Sequence, residues 1–231
     1  MSGRCLAVGD IHGSDAALKL MLEKLDLQAE DTLVLLGDVV DKGPHTPQAT
    51  ERLMELREHC RLIYLRGNHE QFLLQALQRW AAGSPHWEGI FHRETFLAYG
   101  GVQNIPQQHV DFWQSSIDYW ETDSHIFVHA SLHPGLPLER QDPIDLRCYA
   151  IRGHEPPHVS GKRVICGHQI QANGLPKVFP GWVCLDTGAF HGGYLSCLNV
   201  ETDWLWQTSQ TGDFREGELL ALRNEYGSGT I

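Results

Sequence analysis

Short apolar runs alternate with amphipathic segments along the first third of the chain. "CLAV" (5–8) is followed by the polar loop "GDIHG", then by Ser14 as an expected N-cap and by Leu18, Met21, Leu22 and Leu25 at helical spacing. "TLVLL" (32–36) leads into "GDVVDKGP", with Thr46 as expected N-cap, Pro47 at the first helical position and Ala49, Leu53 and Leu56 on one face. "LIYL" (62–65) leads through "RGNHE" into the helical run "QFLLQALQRW". Three successive strand-loop-helix units predict a parallel sheet.

From about 83 to 120 the chain is rich in Trp, Phe, Gly and His with weak periodicity, which predicts helices and loops covering the sheet. Beyond it, "HIFVHA", "RVICGHQ", "GWVCLDTG", "YLSCLNVE" and "WLWQTSQ" predict five more strands, the last two joined by a hairpin around Glu201 to Asp203. These suggest a second, mainly antiparallel sheet. The segment from about 211 to 231 reads as a tail with mobile last residues. Without repeats, low-complexity tracts or a linker, the expectation is one domain over 1–231.

Composition narrows the field. The 231 residues are 42% hydrophobic, enough for a sizeable core. A net charge of −11 repels polyanions, so neither nucleic acid nor an anionic membrane is an expected partner. Six scattered cysteines without a CxxC pair read as reduced core residues. The opening "MSGRCLAVGDIHG" turns polar too early for a signal peptide, and no apolar stretch reaches spanning length; the expectation is a cytoplasmic protein.

The polar residues that follow the apolar runs carry the chemistry. In open α/β sheets, side chains beyond the carboxyl ends of strands converge on one crevice. Those positions hold Asp10 and His12, Asp38 and Asp41, Asn68 and His69, and later His129 and His168. One metal ion can take Asp10 and His12 together, a second Asn68, His129 and His168, with Asp38 bridging. Carboxylate, imidazole and amide oxygen suit Mn, Fe or Zn, and paired ions serve in-line displacement at phosphorus. Any one Gly-Asp is a turn and any one strand-end His a core residue more often than a ligand. Turns do not need these residue types at successive strand ends, so the joint occurrence favours a metal site.

"GDIHG", "GDVVDKGP", "LRGNHE", "FVHA" and "ICGH", in this order, resemble the signatures of the calcineurin-like metallophosphoesterases. The likeness is to the phosphoprotein phosphatase family, in the bacterial and phage branch that includes the lambda-phage protein phosphatase and symmetrical diadenosine tetraphosphatases. The resemblance implies an αββα sandwich, two central mixed sheets flanked by helices. It implies two divalent metal ions, Mn2+ first with Fe or Zn as alternatives, held by Asp10, His12, Asp38, Asn68, His129 and His168. His69 matches the general acid and Asp41 the carboxylate that orients it. Arg66, Arg147 and Lys42 match groups that hold phosphate. Lys42 departs from the usual arginine and supplies a point charge where a planar fork is the rule. At Arg147 an expected preceding aromatic is replaced by Asp145, and Arg152 competes for the role.

The remaining histidines lack partners at ligand spacing and read as surface or supporting groups, with His133 nearest to a supporting role. Trp80, Trp87, Phe91, Phe96, Tyr99, Trp113, Tyr119 and Trp120 could clamp a base or peptide, but read first as core. The expected function is hydrolysis of phosphomonoesters by direct attack of metal-bound hydroxide, with phosphoserine or phosphothreonine in proteins as substrate. A symmetrical dinucleoside polyphosphate hydrolase is the alternative within the enzyme class, and an inactive metal-bearing binding module the alternative outside it. A phosphorylated protein or a small phosphoester or nucleotide is the expected partner.

Overall fold

A computed structural model of the protein describes residues 3–84 and 92–226. The first third follows the alternating pattern: β1 (Cys5–Val8), α1 (Asp15–Leu25), β2 (Thr32–Leu35), α2 (Thr46–Leu56), β3 (Arg61–Tyr64) and α3 (Asn68–Ala81). Ser14 is the N-cap of α1 as expected, whereas α2 begins one residue early, with His45 at its N-cap. The cover region contributes α4 (Arg93–Ala98), α5 (Gln107–Gln114) and β4 (Tyr119–Glu121). Then follow β5 (His125–Val128), α6 (Pro143–Cys148), β6 (Arg163–Cys166), β7 (Lys177–Phe179), β8 (Trp182–Cys184), β9 (Leu195–Asn199), β10 (Trp204–Thr208), β11 (Phe214–Glu218) and α7 (Leu219–Tyr226). The stretch from 214 to 226, expected as tail, thus forms a strand and a helix, and residues 227–231 lie outside the described residues.

Two mixed sheets result, ordered β11-β10-β9-β1-β2-β3 and β4-β5-β6-β8-β7. β1, β2 and β3 are parallel, as are β5, β6 and β8. The second sheet is therefore parallel at its centre, and the expectation of a mainly antiparallel one is corrected. The hairpin β9–β10 forms where expected, with Asn199 paired to Trp204, but β9 adds antiparallel to the open edge of β1 and so extends the first sheet.

Period-2 alternation along each strand assigns its two faces. Leu6, Val8, Leu33 and Leu35 face Ala17, Leu18, Met21 and Leu25 of α1 together with Leu53 of α2. Ala7 and Val34 point the other way, into a layer shared with Phe127, Ile165 and Val183 of the second sheet. The outer face of that sheet, Ile126, Val128, Val164 and Trp182, is covered by Leu138, Leu146 and Ile151. Strands apolar on both faces are explained by this four-layer αββα stacking. The aromatic-rich segment is mainly core: Trp113 is fully buried and Tyr99 meets it edge-on, Trp80 is the exposed member, and Trp87 and Phe91 lie outside the described residues. All six cysteines are free, five of them buried. Among the described residues no helix is long and apolar enough to cross a membrane.

Candidate metal centre

Six parallel strands end on one side of the sandwich, three from each sheet, and the residues just beyond them meet. His12, Asp38 and His69 offer ligand atoms within 4.8 Å of one another, as do Asp38, His129 and His168. Asp38 belongs to both groups, with its Oδ2 3.4 Å from His12 Nε2 and 3.5 Å from His129 Nε2. Asn68 Oδ1 lies 3.2 Å from His129 Nε2 and 3.1 Å from His168 Nδ1, and Asp10 Oδ2 is 4.0 Å from His12 Nε2. The six residues expected to hold metal are thus brought together, and His69 stands beside them.

Local backbone geometry makes this convergence expensive to build. His12, Asp38, Asp41, Lys42 and His168 all have positive φ, a left-handed conformation that L-residues occupy at a cost of about 1 kcal/mol or more each. Cross-links between loops hold them there. Ile11 and His12 donate their backbone N–H groups to the carbonyl of Asp38, Asp38 Oδ1 accepts from the His69 N–H at 3.0 Å, and both Asp10 oxygens accept from the His168 N–H. Glu70, buried at the start of α3, accepts from the N–H groups of Asp38, Val39, Val40 and Gly67. One carboxylate thereby ties the loop after β2 to the first turn of α3.

The donor chemistry fits cations. His12 and His129 each direct Nδ1 at a backbone carbonyl, Val40 and Leu36 respectively, both at 2.8 Å. Those bonds place the proton on Nδ1 and leave a lone pair on Nε2, the arrangement typical of metal-ligating histidine. At His129 that lone pair faces Asn68 Oδ1, itself an acceptor, so the contact is repulsive until something positive lies between them. Burial keeps these imidazoles neutral: His129 and His168 are lowered to about 4 and His12 falls well below its ordinary value. Burial has the opposite effect on the acids. Asp10 rises well above the usual carboxylate range, helped by the charges of Asp186 and Asp38; Asp38 itself rises; and Asp186 reaches about 6. Neutral imidazoles beside carboxylates that resist ionisation describe a site short of positive charge, which divalent cations would supply.

His69 is different. Burial alone would lower its pKa, but Nδ1 lies 2.8 Å from Asp41 Oδ2 and the charges of Asp41 and Asp38 prevail, so the net shift is upward. Burial would raise Asp41, yet the hydrogen bonds from His69 and His92 dominate and lower it. With Nδ1 engaged by Asp41, the ligand atom His69 offers to the cluster is Nε2.

The phosphate-binding candidates are not brought together. Lys42 Nζ is 2.9 Å from His12 Nε2 and sits over the Phe190 ring, directly at the cluster. Arg66 instead engages Ser116 and the carbonyl of Gln114 through Nε and Nη2, and Arg147 engages Asp118 and Gln71. Either arginine must exchange protein partners to grip a phosphate with both arms. Arg152 is exposed beside a cavity of about 440 Å3 that Ser131, His133, Asp145 and Tyr149 also line.

Three functional positions escape a reading of the pattern. His133, expected as the supporting histidine, is exposed and lines that cavity, whereas His92 is buried with Nδ1 2.7 Å from Asp41. Asp186, in "CLDTG", follows β8 just as Asp10 and Asp38 follow β1 and β2, and that apolar-run, Asp, Gly pattern was the available signal. Glu70 stands inside the conspicuous "LRGNHE", but nothing local distinguishes it from an ordinary helix residue.

Known proteins resemble this chain in fold and in part of its sequence. A putative diadenosine tetraphosphatase of known structure superposes with a TM-score of 0.67 at 23% identity, covering 94% of each chain, a likeness of fold. The symmetrical bis(5'-nucleosyl)-tetraphosphatase of Paracidovorax citrulli is 40% identical over 70 residues, 30% of this chain and 24% of that protein. Shewanella-like protein phosphatase 1 of Plasmodium berghei is 36% identical over 116 residues, 45% of this chain and 32% of that protein. The chain therefore spans less than a third of the length of either curated relative. The family model described as calcineurin-like phosphoesterase matches residues 3–172, most of the chain and every converging strand end except that of β8, and the protein belongs to that family.

Proposed function

We propose that the protein hydrolyses phosphomonoesters with the help of two divalent cations, Mn2+ foremost, and that its substrates are phosphoserine and phosphothreonine side chains of proteins. The observation that carries this reading is the Asp38 carboxylate, whose Oδ2 lies 3.4 Å from His12 Nε2 and 3.5 Å from His129 Nε2 and so can be shared by two cations. Asp10, His12 and Asp38 would hold one cation, and Asp38, Asn68, His129 and His168 the other. Bound there, the cations would acidify water and draw charge from the phosphoryl oxygens.

The chain's own residues do the rest. His69, protonated on both nitrogens, faces the cluster through Nε2 while Asp41 holds Nδ1. As the P–O bond breaks, its electron pair leaves on the ester oxygen, which takes the Nε2 proton. His69 is left neutral and regains a proton from solvent, and the attacking water gives up its own proton to solvent. Lys42 places an ammonium beside the reacting phosphoryl group.

The 440 Å3 cavity favours a second reading. It begins at Ser131, two residues after His129, and is bordered by Tyr149, whose neighbour Cys148 bonds His168 through its backbone. The nucleoside end of a dinucleoside polyphosphate fits a cavity of this size, with a nucleoside phosphate as the group expelled on symmetrical cleavage; dinucleoside polyphosphates are the substrates in the names of two of the similar proteins. Turnover of a phosphothreonine peptide and of diadenosine tetraphosphate, measured side by side with chelator and after Mn2+ add-back, separates the two. Activity on neither would return the protein to the status of a binding module. In the same assay His69→Asn is expected to retain metal and lose turnover by about 100-fold or more, while Asp38→Asn loses metal as well.

A further inference from the structure

His92 is a buried histidine the reaction above does not use. It precedes α4, far in sequence from the metal-binding loops, and its side chain is 1% exposed. Its Nδ1 lies 2.7 Å from Asp41 Oδ2, the oxygen that also receives His69 Nδ1 at 2.8 Å. One turn later on α4, Thr95 donates its hydroxyl to Asp41 Oδ1 at 2.6 Å and accepts the Asp41 backbone N–H at 3.0 Å. A carboxylate only accepts when ionised, so both imidazoles must carry their proton on Nδ1. Asp41 is thus held by three side-chain donors, of which His69 is one and the α4 segment supplies the other two.

We propose that His92 is a positioning residue that acts through Asp41 on His69, holding the carboxylate so that the Nε2–H of His69 points at the leaving oxygen. The inference rests on the reading of His69 as the proton donor. Asp41 has a left-handed backbone (φ 67°) with Lys42 beside it (φ 64°), so the loop does not by itself keep the carboxylate in place. Thr95 controls one oxygen and His92 the other, which removes the rotation about the Cβ–Cγ bond that would swing His69 away. Orientation of this kind acts only on the proton-transfer step. An alkoxide leaving group needs that proton; p-nitrophenolate departs as an anion without it.

A purely architectural histidine and a positioning one therefore differ in how the damage depends on the leaving group. His92→Phe keeps the ring and removes the donor. With Mn2+ content and cooperative unfolding verified, kcat toward a phosphoserine peptide is expected to fall about 30-fold and toward p-nitrophenyl phosphate about threefold, with KM little moved. His92→Asn, whose amide N–H can replace Nδ1–H, should recover most of the loss. Equal factors for both substrates, no loss for either, or no recovery by asparagine would overturn the proposal. Should His92→Phe fail to fold, Thr95→Val carries the same test from the other oxygen, with the same asymmetry expected. Nitrogen-15 imidazole spectra of the metal-free protein provide a readout without turnover. Besides the Nδ1–H protons of His12 and His129, which bond backbone carbonyls, two slowly exchanging ones assigned to His69 and His92 are expected in the wild type, and of these only that of His69, exchanging faster, in His92→Phe; the lack of either in the wild type would refute the arrangement. Wild-type protein inactive on every phosphoester would defeat the proposed function, while the spectra would still decide whether two imidazoles share Asp41.

Discussion

The Glu70 carboxylate accepts the backbone N–H of Asp38 at 2.8 Å, and its second oxygen accepts that of Val39 at 2.7 Å. Asp38 sits at a positive φ of 51° and supplies the one carboxylate common to both donor groups. The shared carboxylate is therefore held from behind by a residue outside both donor groups. Glu70→Gln replaces an acceptor oxygen with an amide N–H facing backbone donors. Metal-free protein should lose about 2 kcal/mol in urea unfolding, and Mn2+ affinity measured by calorimetry should drop about 10-fold or more.

Close backbone approach gives a second prediction. A Cβ on Gly67 would collide with Asp38 Oδ1 and the Asp38 backbone nitrogen, neither of which can yield without moving the carboxylate. Gly67→Ala is expected to cost about 1–3 kcal/mol of stability and to abolish binding at the shared position. Retention of wild-type Mn2+ stoichiometry would contradict this placement of Asp38.

Lys42 reaches the cluster itself, with its Nζ 2.9 Å from His12 Nε2. Its ammonium donates to the His12 Nε2 lone pair that a metal would use, so lysine and cation compete for it. Lys42→Ala should therefore bind Mn2+ more tightly, by about threefold or more as judged from a single like charge removed near the site. Inorganic phosphate should inhibit the same variant less than the wild type. Both effects are read by titration, the first by calorimetry and the second by competition.

Asp186 supplies the pH dependence. Burial raises its pKa to about 6, the charge of Asp38 adding to the effect and the Gly188 N–H opposing it. Since the folded value exceeds the unfolded one, the native state holds the extra proton between about pH 4 and 6. Stability of the metal-free protein therefore declines as pH rises through that window. Asp186→Asn escapes this loss: it should be more stable than wild type by about 2–3 kcal/mol at pH 7.5 and equal to it at pH 4. Urea unfolding in chelator at the two pH values checks the sign. Added Mn2+ should reverse the order, because a carboxylate that opposes folding alone helps to bind a cation.

Much of the site was legible before the fold. Asp10, Asp38, Asn68 and His168 come shortly after apolar runs with glycine adjacent, and His129 directly follows its own run; strand ends and polar residue types are local facts. His92 was not legible, because its partner Asp41 lies 51 residues away and no spacing rule links the two. Arg66 and Arg147 carried the right charge, but whether a guanidinium turns to a cluster or to Ser116 and Asp118 depends on neighbours that arrive from other segments.

The same division holds for the sheets. Periodicity along the chain indicated β1 to β3, β5, β6 and β8 to β10, the buried faces of α1 and α2 and the residues at those strand ends, since all of these depend on neighbours within a turn or two, but not β4, β7, β11 or α7. It placed "YLSCLNVE" and "WLWQTSQ" in a second sheet, which the structure corrects, for an apolar strand can pair with any edge of suitable register. Only the tertiary structure decided that β9 docks on β1, that β8 brings Asp186 to the cluster, and that α4 reaches Asp41. The physical reason is that burial is written locally in residue type, whereas the choice of partner is a competition among distant surfaces that is settled only when the chain packs.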